Sequence, residues 1–486
     1  MSNAISLQKN VLKTIVDRKV EQNKVQSELM PLSEIKPQLS RSDRSLYEAL
    51  NGEKAGFILE CKKASPSKGL IRANFDAPEL AKSYAPYAAA ISVLTEPDFF
   101  QGRLDYLTAV RQQVTQPVLC KDFFIDEEQV YRARYFGADA ILLMLSVLND
   151  GQYTTLRDIA DSLSMDVLTE VANEEEMQRA VKLDARIIGI NHRDLTDLSI
   201  DPNRSAELAP LAPLAPQGAL LVAESGFSTH ADIRRVAPYV NGFLVGSALS
   251  AQPNVDLACR ELLFGQNKVC GLTRPEDAIN ARSQGAAYGG LIFVEHSARC
   301  INIEQAQQMT TEVKGLSYVG VFADTALQKV IETVSEIGLS VIQLHGHEDI
   351  DYIVQLRQQL RENGLNSVKI WKALAIETPA QLPDLPVDAF VLDNRKGGSG
   401  QVFDWSLLES LTPQQRQRCL LAGGIGPENI DEALTLGFAG VDMNSRVEWT
   451  PGIKNSQKVS QTFMKIRQYG RFSDQQVSKR IQQEAV

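Results

Sequence analysis

The sequence predicts an α/β fold made of two tandem (β/α)8 TIM barrels, the first with an extra N-terminal helical segment. Two observations lead to this prediction. From residue 57 onward, short apolar runs that fit buried strands alternate with helical patterns at a period of roughly 25 to 30 residues, which is typical of parallel βα units. These runs number eight and then eight again, a count that a doubly wound sheet rarely repeats.

The first half of the chain supplies the N-terminal segment and eight strands. Apolar residues such as Val11, Leu12, Ile15 and Val16 recur at helical spacing within the first 50 residues, so we expect helices that cover one end of the barrel. The candidate strands that follow are residues 57–60, 90–95, 118–121, 140–143, 167–171, 187–191, 220–224 and 243–246.

The pattern starts again after a short helix around residues 255–264. The candidate strands of the second half are residues 268–271, 290–293, 318–322, 341–345, 368–373, 390–393, 420–423 and 441–444. We therefore predict a domain boundary near Gly265. One barrel would occupy residues 1–265, and the second, with a polar C-terminal tail, residues 266–486.

The composition favours a cytoplasmic protein that acts on small molecules. Hydrophobic residues make up 44% of the 486 residues and charged residues 23%, as in globular proteins. A net charge of −10 without a block of Lys and Arg argues against a nucleic-acid surface. The six cysteines form no CxxC pair, which favours free thiols in a reducing compartment and argues against zinc. Because no opening segment resembles a signal peptide and no apolar run is long enough to span a bilayer, we expect no membrane partner.

Polar residues follow several of the first eight strands. They are Glu60, Lys62, Lys121, Glu170 and Asn191, and a barrel would gather them at the single mouth where its strands end. Two carboxylates and two ammonium groups placed together perturb each other's pKa and supply both a general acid and a general base. Solvated ion pairs at separate strand tips are the alternative interpretation for any one of them.

Small residues follow the seventh and eighth strands of this half. Ser225-Gly226 and Gly246-Ser247 lie where barrel enzymes bind phosphate through backbone N–H groups. Either dipeptide alone would indicate only a turn. Together, at this place in the fold, they predict a phosphorylated substrate.

Motifs throughout the first half resemble indole-3-glycerol-phosphate synthase. They are ECKKASPSKG (60–69), CKDF (120–123), LTEV (168–171), INHRDL (190–195), ESG (224–226) and GFLVGSAL (242–249). The resemblance implies that Lys121 is the general acid on the substrate's ketone during ring closure, which is followed by loss of CO2 and dehydration. It implies that Glu60, Lys62 and Glu170 manage the later proton transfers. The residues that it places around the substrate and its phosphate are Asn191, Arg193, Ser225, Lys62, Ser65, Gly226, Gly246 and Ser247.

The second half places a thiol and a carboxyl at the ends of its own strands. Cys270 ends the first strand and Asp393 the sixth. A cysteine acts as a base if its pKa is lowered and a carboxyl as an acid if its pKa is raised, although a lone cysteine is more often a small buried hydrophobe. Glycines and small polar residues after the last three strands predict a phosphate site, with flexible loops as the alternative. These candidates are Gly398, Gly400, Gly423, Gly424, Asn444 and Ser445.

The second half resembles phosphoribosylanthranilate isomerase. The motifs are VCGLTR (269–274), GLIF (290–293), QLHG (343–346), LDNRKGGSGQVFDW (392–405), LAGGIG (421–426) and DMNSRVE (442–448). The resemblance implies an Amadori rearrangement, with Asp393 as the acid on the ribose ring oxygen and Cys270 as the base at C2 of the sugar. It also places Arg299 against the anthranilate moiety with His345 nearby. No metal is predicted, because two neighbouring histidines without a third ligand are poor evidence for one.

The predicted function is therefore that of a bifunctional enzyme for two successive steps of tryptophan synthesis. We expect a monomer without a metal or organic cofactor, acting on small phosphorylated anthranilate-derived substrates. One alternative is a Schiff-base aldolase in which Lys121 attacks a carbonyl. Another is that one half only binds phosphorylated ligands. The second half is the better candidate for that loss, because Ala298 and Arg446 depart from the family pattern.

Overall fold

Each half of the chain forms a closed barrel of eight parallel strands in the computed structural model, which describes residues 11–212, 219–394 and 403–470. In both barrels, strands that are consecutive along the chain are neighbours in the sheet, and the last barrel strand pairs with the first. The predicted fold class is confirmed.

The strands of the first barrel are short, apolar and almost wholly buried. They are Gly56–Cys61, Ala90–Leu94, Val118–Lys121, Ala140–Met144, Asp166–Val171, Ile187–Asn191, Leu220–Glu224 and Gly242–Val245. A small hairpin of Ala64–Ser65 and Gly69–Leu70 follows the first strand. All eight overlap the predicted strands, because an apolar run of four to six residues bounded by polar turns fits a strand buried on both faces.

Helices follow each of these strands, and several begin at a capped residue. They are Ala77–Tyr84, Asp105–Arg111, Glu127–Tyr135, Asp150–Ser162, Glu174–Lys182, Arg204–Leu208, His230–Val236, Ser247–Ser250 and Val255–Phe264. The side chains of Asp126 and Asn149 accept backbone N–H groups of the first turn that follows each of them, which satisfies donors that have no partner inside a helix.

From residue 11 onward, three α-helices precede the first strand: Val11–Leu29, Leu32–Ile35 and Leu46–Leu50. Ile15, on the first helix, is 3% exposed and belongs to a core cluster with Ile58 and Phe123. Phe123 follows the carboxyl end of the third strand. The N-terminal helix therefore covers the mouth of the first barrel, the end at which barrel enzymes hold their active sites.

The strands of the second barrel match the second set of predicted strands. They are Lys268–Val269, Tyr288–Ile292, Ser317–Phe322, Val341–Leu344, Lys369–Ala375, Ala389–Asp393, Cys419–Leu421 and Gly440–Met443. Its helices are Pro275–Gln284, Ile303–Glu312, Leu327–Ile337, Ile350–Glu362, Pro413–Arg416, Ile430–Thr435 and Ser456–Arg467. A hairpin of Glu448–Thr450 and Ile453–Lys454 follows the last strand.

Alternation along the strands divides the second barrel's core into an inner and an outer part. Val341 belongs to an inner cluster with Tyr288 and Trp371, whose ring centroids lie 4.8 Å apart. Ile342 and Leu344 belong to the separate cluster that packs against the helices. Because successive side chains of a strand point to opposite faces, this assignment also fixes which polar side chains enter the barrel.

The chain divides into two compact units. The first comprises the described residues up to Ser228, residues 232–255 and the segment from Tyr469, and the second comprises Thr229–Ala231 and Asp256–Gln468. The boundary predicted near Gly265 stays a prediction about where the two halves can be separated. The polar tail after residue 470 lies outside the described residues.

Candidate active sites

A cavity of about 510 Å³ opens at the mouth of the first barrel. Side chains from the ends of many strands line it, together with Val11, Leu12 and Ile15 of the N-terminal helix. All the site residues predicted for the first half are in its lining, namely Glu60, Lys62, Ser65, Lys121, Glu170, Asn191, Arg193, Ser225, Gly226, Gly246 and Ser247. The fold thus brings residues that are up to 187 positions apart into one pocket.

Glu60 and Lys62 form an ion pair on one wall of the cavity. The Lys62 Nζ lies 2.5 Å from a carboxylate oxygen of Glu60, whose residue is only 1% exposed. Burial favours the neutral acid, but the charges of Lys62 and Lys121 outweigh it and lower the pKa of Glu60. Glu60 is therefore a carboxylate at neutral pH, able to accept a proton.

Lys121 lies between carboxylates at the centre of the site. Its Nζ is 3.0 Å from Glu224 Oε2 and 3.7 Å from Glu170 Oε2. Burial opposes the charged form, yet the charges of Glu224, Glu170 and Glu60 together raise the pKa of Lys121. The side chain is consequently an ammonium at neutral pH. An ammonium suits proton donation, whereas a Schiff-base nucleophile must be a neutral amine.

Glu224 is a site residue that the sequence analysis did not select. Its carboxylate is buried, and burial raises its pKa to about 7 despite the nearby charge of Lys121. It lies against Gly189, where any side chain would collide with Glu224 Oε1. The signal was present in the sequence, because Glu224 ends an apolar strand just as Glu60 does.

The N-terminal helix is joined to the site by a buried ion pair. Lys19 Nζ lies 2.6 Å from Asp122 Oδ1, and both side chains are less than a tenth exposed. Asp122 also accepts a hydrogen bond from the Thr95 hydroxyl at 2.6 Å. Because Asp122 is the neighbour of Lys121 in the chain, this contact holds the helix beside the central lysine.

Local geometry requires the glycines that follow the last two strands of the first barrel, Gly226 and Gly246. Ser225 and Gly226 have φ of 69° and 85°, so the chain reverses in the left-handed region where a glycine costs least. A side chain at Gly246 would collide with the Glu60 carboxylate. These positions keep the rim of the cavity open beside the charged cluster.

In the second barrel, Cys270 and Asp393 are both buried at strand ends. Burial raises the pKa of Asp393 to about 6, which suits a proton donor. Burial also raises the pKa of the Cys270 thiol, although the charge of Lys268 opposes it. The condition under which a cysteine acts as a base, a lowered thiol pKa, is therefore not met in the protein without substrate, because desolvation outweighs the nearby cation.

Arg299 is held by a partner that the sequence did not reveal. Its guanidinium forms two parallel hydrogen bonds with the Glu448 carboxylate, the shorter with Nη2 at 2.8 Å. Glu448 also lies 2.6 Å from Lys454 Nζ, which reaches Asn444 Oδ1 at 3.0 Å. A side chain at Gly271 would collide with both Arg299 and Asn444. The predicted residues Arg299 and Asn444 thus lie together beside Cys270.

The other predicted site residues of the second half that the structure describes lie at the same end of this barrel. Gly423 and Gly424 have φ of 82° and 76°, and a Cβ at Gly423 would approach Asp393 Oδ1 to 3.2 Å. His345 follows the fourth strand, and burial lowers its pKa. Ser445 begins a short 3-10 turn after the last strand. Gly398 and Gly400 lie outside the described residues.

Comparison with known proteins divides the chain at the same two barrels. The family model for indole-3-glycerol phosphate synthase matches residues 12–262, and that for N-(5'-phosphoribosyl)anthranilate (PRA) isomerase matches residues 267–465. Tryptophan biosynthesis protein TrpCF of Vibrio cholerae is 48% identical over 465 residues, which are 94% of this chain and 96% of that protein. The TrpCF protein of Yersinia pestis is 50% identical over 440 residues, 90% of each chain. The chain belongs to the TrpCF family.

Membership of the TrpCF family makes this chain a bifunctional enzyme of tryptophan biosynthesis, with synthase and isomerase activities. The TrpCF protein of Salmonella typhi, 47% identical over 460 residues, spans 94% of this chain and 99% of its own length. Both halves match an enzyme family, so the alternative of a half that only binds ligands is not supported. Among the described helices, none combines the length and apolar character needed to cross a membrane.

Proposed function

We propose that the first barrel closes the indole ring with Lys121 as the general acid. The Lys121 ammonium protonates the ketone of 1-(2-carboxyphenylamino)-1-deoxyribulose 5-phosphate while the aromatic carbon that carries the carboxylate attacks. The observation that supports this role most directly is the position of the ammonium among Glu224, Glu170 and Glu60, which keeps it charged and aimed into the cavity. Loss of CO2 and dehydration then give indole-3-glycerol phosphate.

The carboxylates of the cavity handle the later protons. Glu60, ionised beside Lys62, can accept a proton, and Glu170 lies within reach of the same ammonium. Glu224 can both gain and lose a proton near neutral pH, since its pKa is about 7. Acid and base are thus both available in one buried cluster.

The rim of the same cavity binds and orients the substrate. Asn191, Arg193 and Ser225 position the reacting groups, and Asn191 Oδ1 in turn accepts the backbone N–H of Arg193 at 3.0 Å. The phosphate contacts the residues that the family resemblance assigns to it, Lys62, Ser65, Gly226, Gly246 and Ser247, all of which line the cavity.

In the second barrel, Asp393 protonates the ribose ring oxygen of N-(5-phosphoribosyl)anthranilate and Cys270 removes the proton at C2. The raised pKa of Asp393 supports its role as the acid. Arg299 and His345 lie near the anthranilate moiety. The phosphate is bound by the residues after the last three strands, Gly398, Gly400, Gly423, Gly424, Asn444 and Ser445. The product is the substrate of the first barrel.

We also propose that the enzyme acts in the cytoplasm as a monomer, without a metal or organic cofactor and without a nucleic-acid or membrane partner. Six free cysteines and a net charge of −10 support this setting. The acid and base side chains assigned to the two barrels supply every proton transfer that the two reactions need. Size-exclusion chromatography should give a single species near 53.6 kDa.

Separate assays of the two steps on purified protein test the proposal. We expect turnover of phosphoribosylanthranilate and, independently, of its rearranged product, both unchanged after treatment with EDTA. A protein that performs only one step, or that needs an added divalent metal for either, would contradict it. As the matched control, the Cys270→Ser protein should retain the synthase step.

A further inference from the structure

An ion pair lies inside the second barrel, below its mouth. Lys268 Nζ is 2.6 Å from Asp442 Oδ2 and donates a second hydrogen bond to Gln343 Oε1 at 2.8 Å. Lys268 is fully buried and Asp442 is 8% exposed. The two residues pair directly across the first and last strands of the barrel. Such a pair occupies a place that barrel proteins usually fill with branched apolar side chains.

Strand periodicity places this pair directly under the site. Side chains two residues apart face the same side of a strand, so Lys268 lies one layer below Cys270. The same spacing relates Gln343 to His345 and Asp442 to Asn444. At Gly290, a Cβ would lie 2.7 Å from Cys270 Sγ and 2.8 Å from Lys268 Cε, so the thiol and the lysine side chain converge on one point of the barrel wall.

Stability alone does not explain the pair. Taking two charges out of water costs several kcal/mol for each ion, and apolar replacements of such pairs are often neutral or stabilising. Here the pairing is also incomplete, because Asp442 Oδ1 is buried and accepts no hydrogen bond from any described residue. A buried carboxylate oxygen left without a donor costs further free energy. We therefore look for a role of this ion pair in the reaction at the mouth of the second barrel.

Charged groups face Cys270 from several elements. Lys268 lies on the same strand as Cys270, Asp442 on the last strand, and Lys454, which pairs with Glu448, on the hairpin that follows. Arg299 lies against Gly271, the neighbour of Cys270 in the chain. His345 and Asp393 each have Lys268 and Asp442 among their charged neighbours. Lys268 is the cation that lowers the pKa of the Cys270 thiol most, and Asp442 is the anion that raises it most. These two influences have opposite signs.

We propose that Lys268, held in place by Asp442, is a positioning residue that stabilises the thiolate of Cys270. This inference rests on the proposed role of Cys270 as the base. A thiol buried among apolar groups resists ionisation, and a fixed ammonium directly below it offsets part of that cost without entering the substrate pocket. Asp442 holds the ammonium in place and at the same time limits how far it favours the thiolate.

The test measures ionisation of the Cys270 thiol in the substrate-free, full-length protein. The rate of alkylation by iodoacetamide is followed against pH, with peptide mass spectrometry separating Cys270 from the exposed Cys300, which serves as the internal control. Lys268→Met should slow alkylation of Cys270 at pH 8 at least about tenfold, because loss of one nearby positive charge raises the pKa of a buried thiol by about one unit or more. Asp442→Asn should accelerate it at least about threefold.

The opposite signs distinguish this role from a structural one. Asp442→Asn preserves the shape of the side chain and a hydrogen-bond acceptor for Lys268, so this variant should fold. The test therefore remains decisive even if the Lys268→Met protein does not fold. Lys268→Arg should restore the parent profile. Unchanged alkylation in both variants, or a shift in the same direction in both, would overturn the inference.

The activity profile separates this inference from the proposed function. If Cys270 is the base, the alkaline limb of isomerase kcat/KM should move to higher pH in Lys268→Met and to lower pH in Asp442→Asn. If alkylation shifts as expected while this limb stays in place, the Lys268 inference holds and the role of Cys270 as the base fails.

Discussion

Replacement of Lys121 by Met tests the centre of the first site. The change removes the buried ammonium and keeps an unbranched apolar stem of similar length. In the parent protein the ammonium lies 3.0 Å from Glu224 and 3.7 Å from Glu170. The variant therefore loses the proposed acid, and two carboxylates lose their nearest cation.

The expected effects of Lys121→Met on the synthase rate and on folding can be given a size. Loss of a general acid lowers the rate about 10²- to 10⁴-fold, which corresponds to about 2.7 to 5.4 kcal/mol in the activation barrier. Folding should survive the change. Glu224 already has a pKa of about 7, and without the charge of Lys121 that pKa rises further. Glu224 then takes up a proton at neutral pH, so that the buried cluster loses one positive and one negative charge together.

The assay follows formation of indole-3-glycerol phosphate at saturating substrate, with isomerase activity of the same sample as the measure of correct folding. Lys63→Met is the matched control, because Lys63 lies two positions beyond the first strand and outside the cavity lining. It should keep the parent synthase rate. A Lys121→Met protein that makes the indole product at the parent rate, with the isomerase intact, would refute the acid role.

Four further predictions follow from the same sites. Cys270→Ser or Asp393→Asn should lower the isomerase rate at least about 10²-fold and leave the synthase nearly unchanged, and equal loss of both activities would contradict separate sites. Isomerase kcat/KM should be level between about pH 6, the pKa of Asp393, and the raised pKa of the Cys270 thiol, and should fall on either side. Between the two pKa values the falling fraction of acid is offset by the rising fraction of thiolate; below them only the thiolate fraction changes, and above them only the acid fraction. Borohydride should trap no substrate adduct on Lys121, since its raised pKa keeps the amine protonated; a trapped adduct would favour the aldolase alternative. Arg260 donates hydrogen bonds to two backbone carbonyls of the second unit, so a fragment that starts at residue 256 should melt about 5 to 10 °C above one that starts at residue 268.

The sequence alone predicted the fold and many of the residues at the mouth of each barrel. Apolar runs with a regular spacing predict the strands, and the closed parallel topology places every strand's carboxyl end at the same mouth. Lys121, Glu60 and Glu170 could therefore be selected without coordinates, because each follows or ends such a run. The same reasoning applies to Glu224, which also ends such a run but was not among the selected site residues.

Only the tertiary structure decided the partners of these residues and the direction of their pKa shifts. Arg299 bonds to Glu448 across 149 positions of sequence and Lys268 to Asp442 across 174, and strand periodicity does not predict which side chains meet inside a closed barrel. The Cys270 thiol shows the consequence. The family resemblance implies a role as a base. The sign of the pKa shift, however, depends on the balance between burial and the charges of Lys268, Asp442 and Lys454, and this balance is set by how closely the surrounding side chains pack.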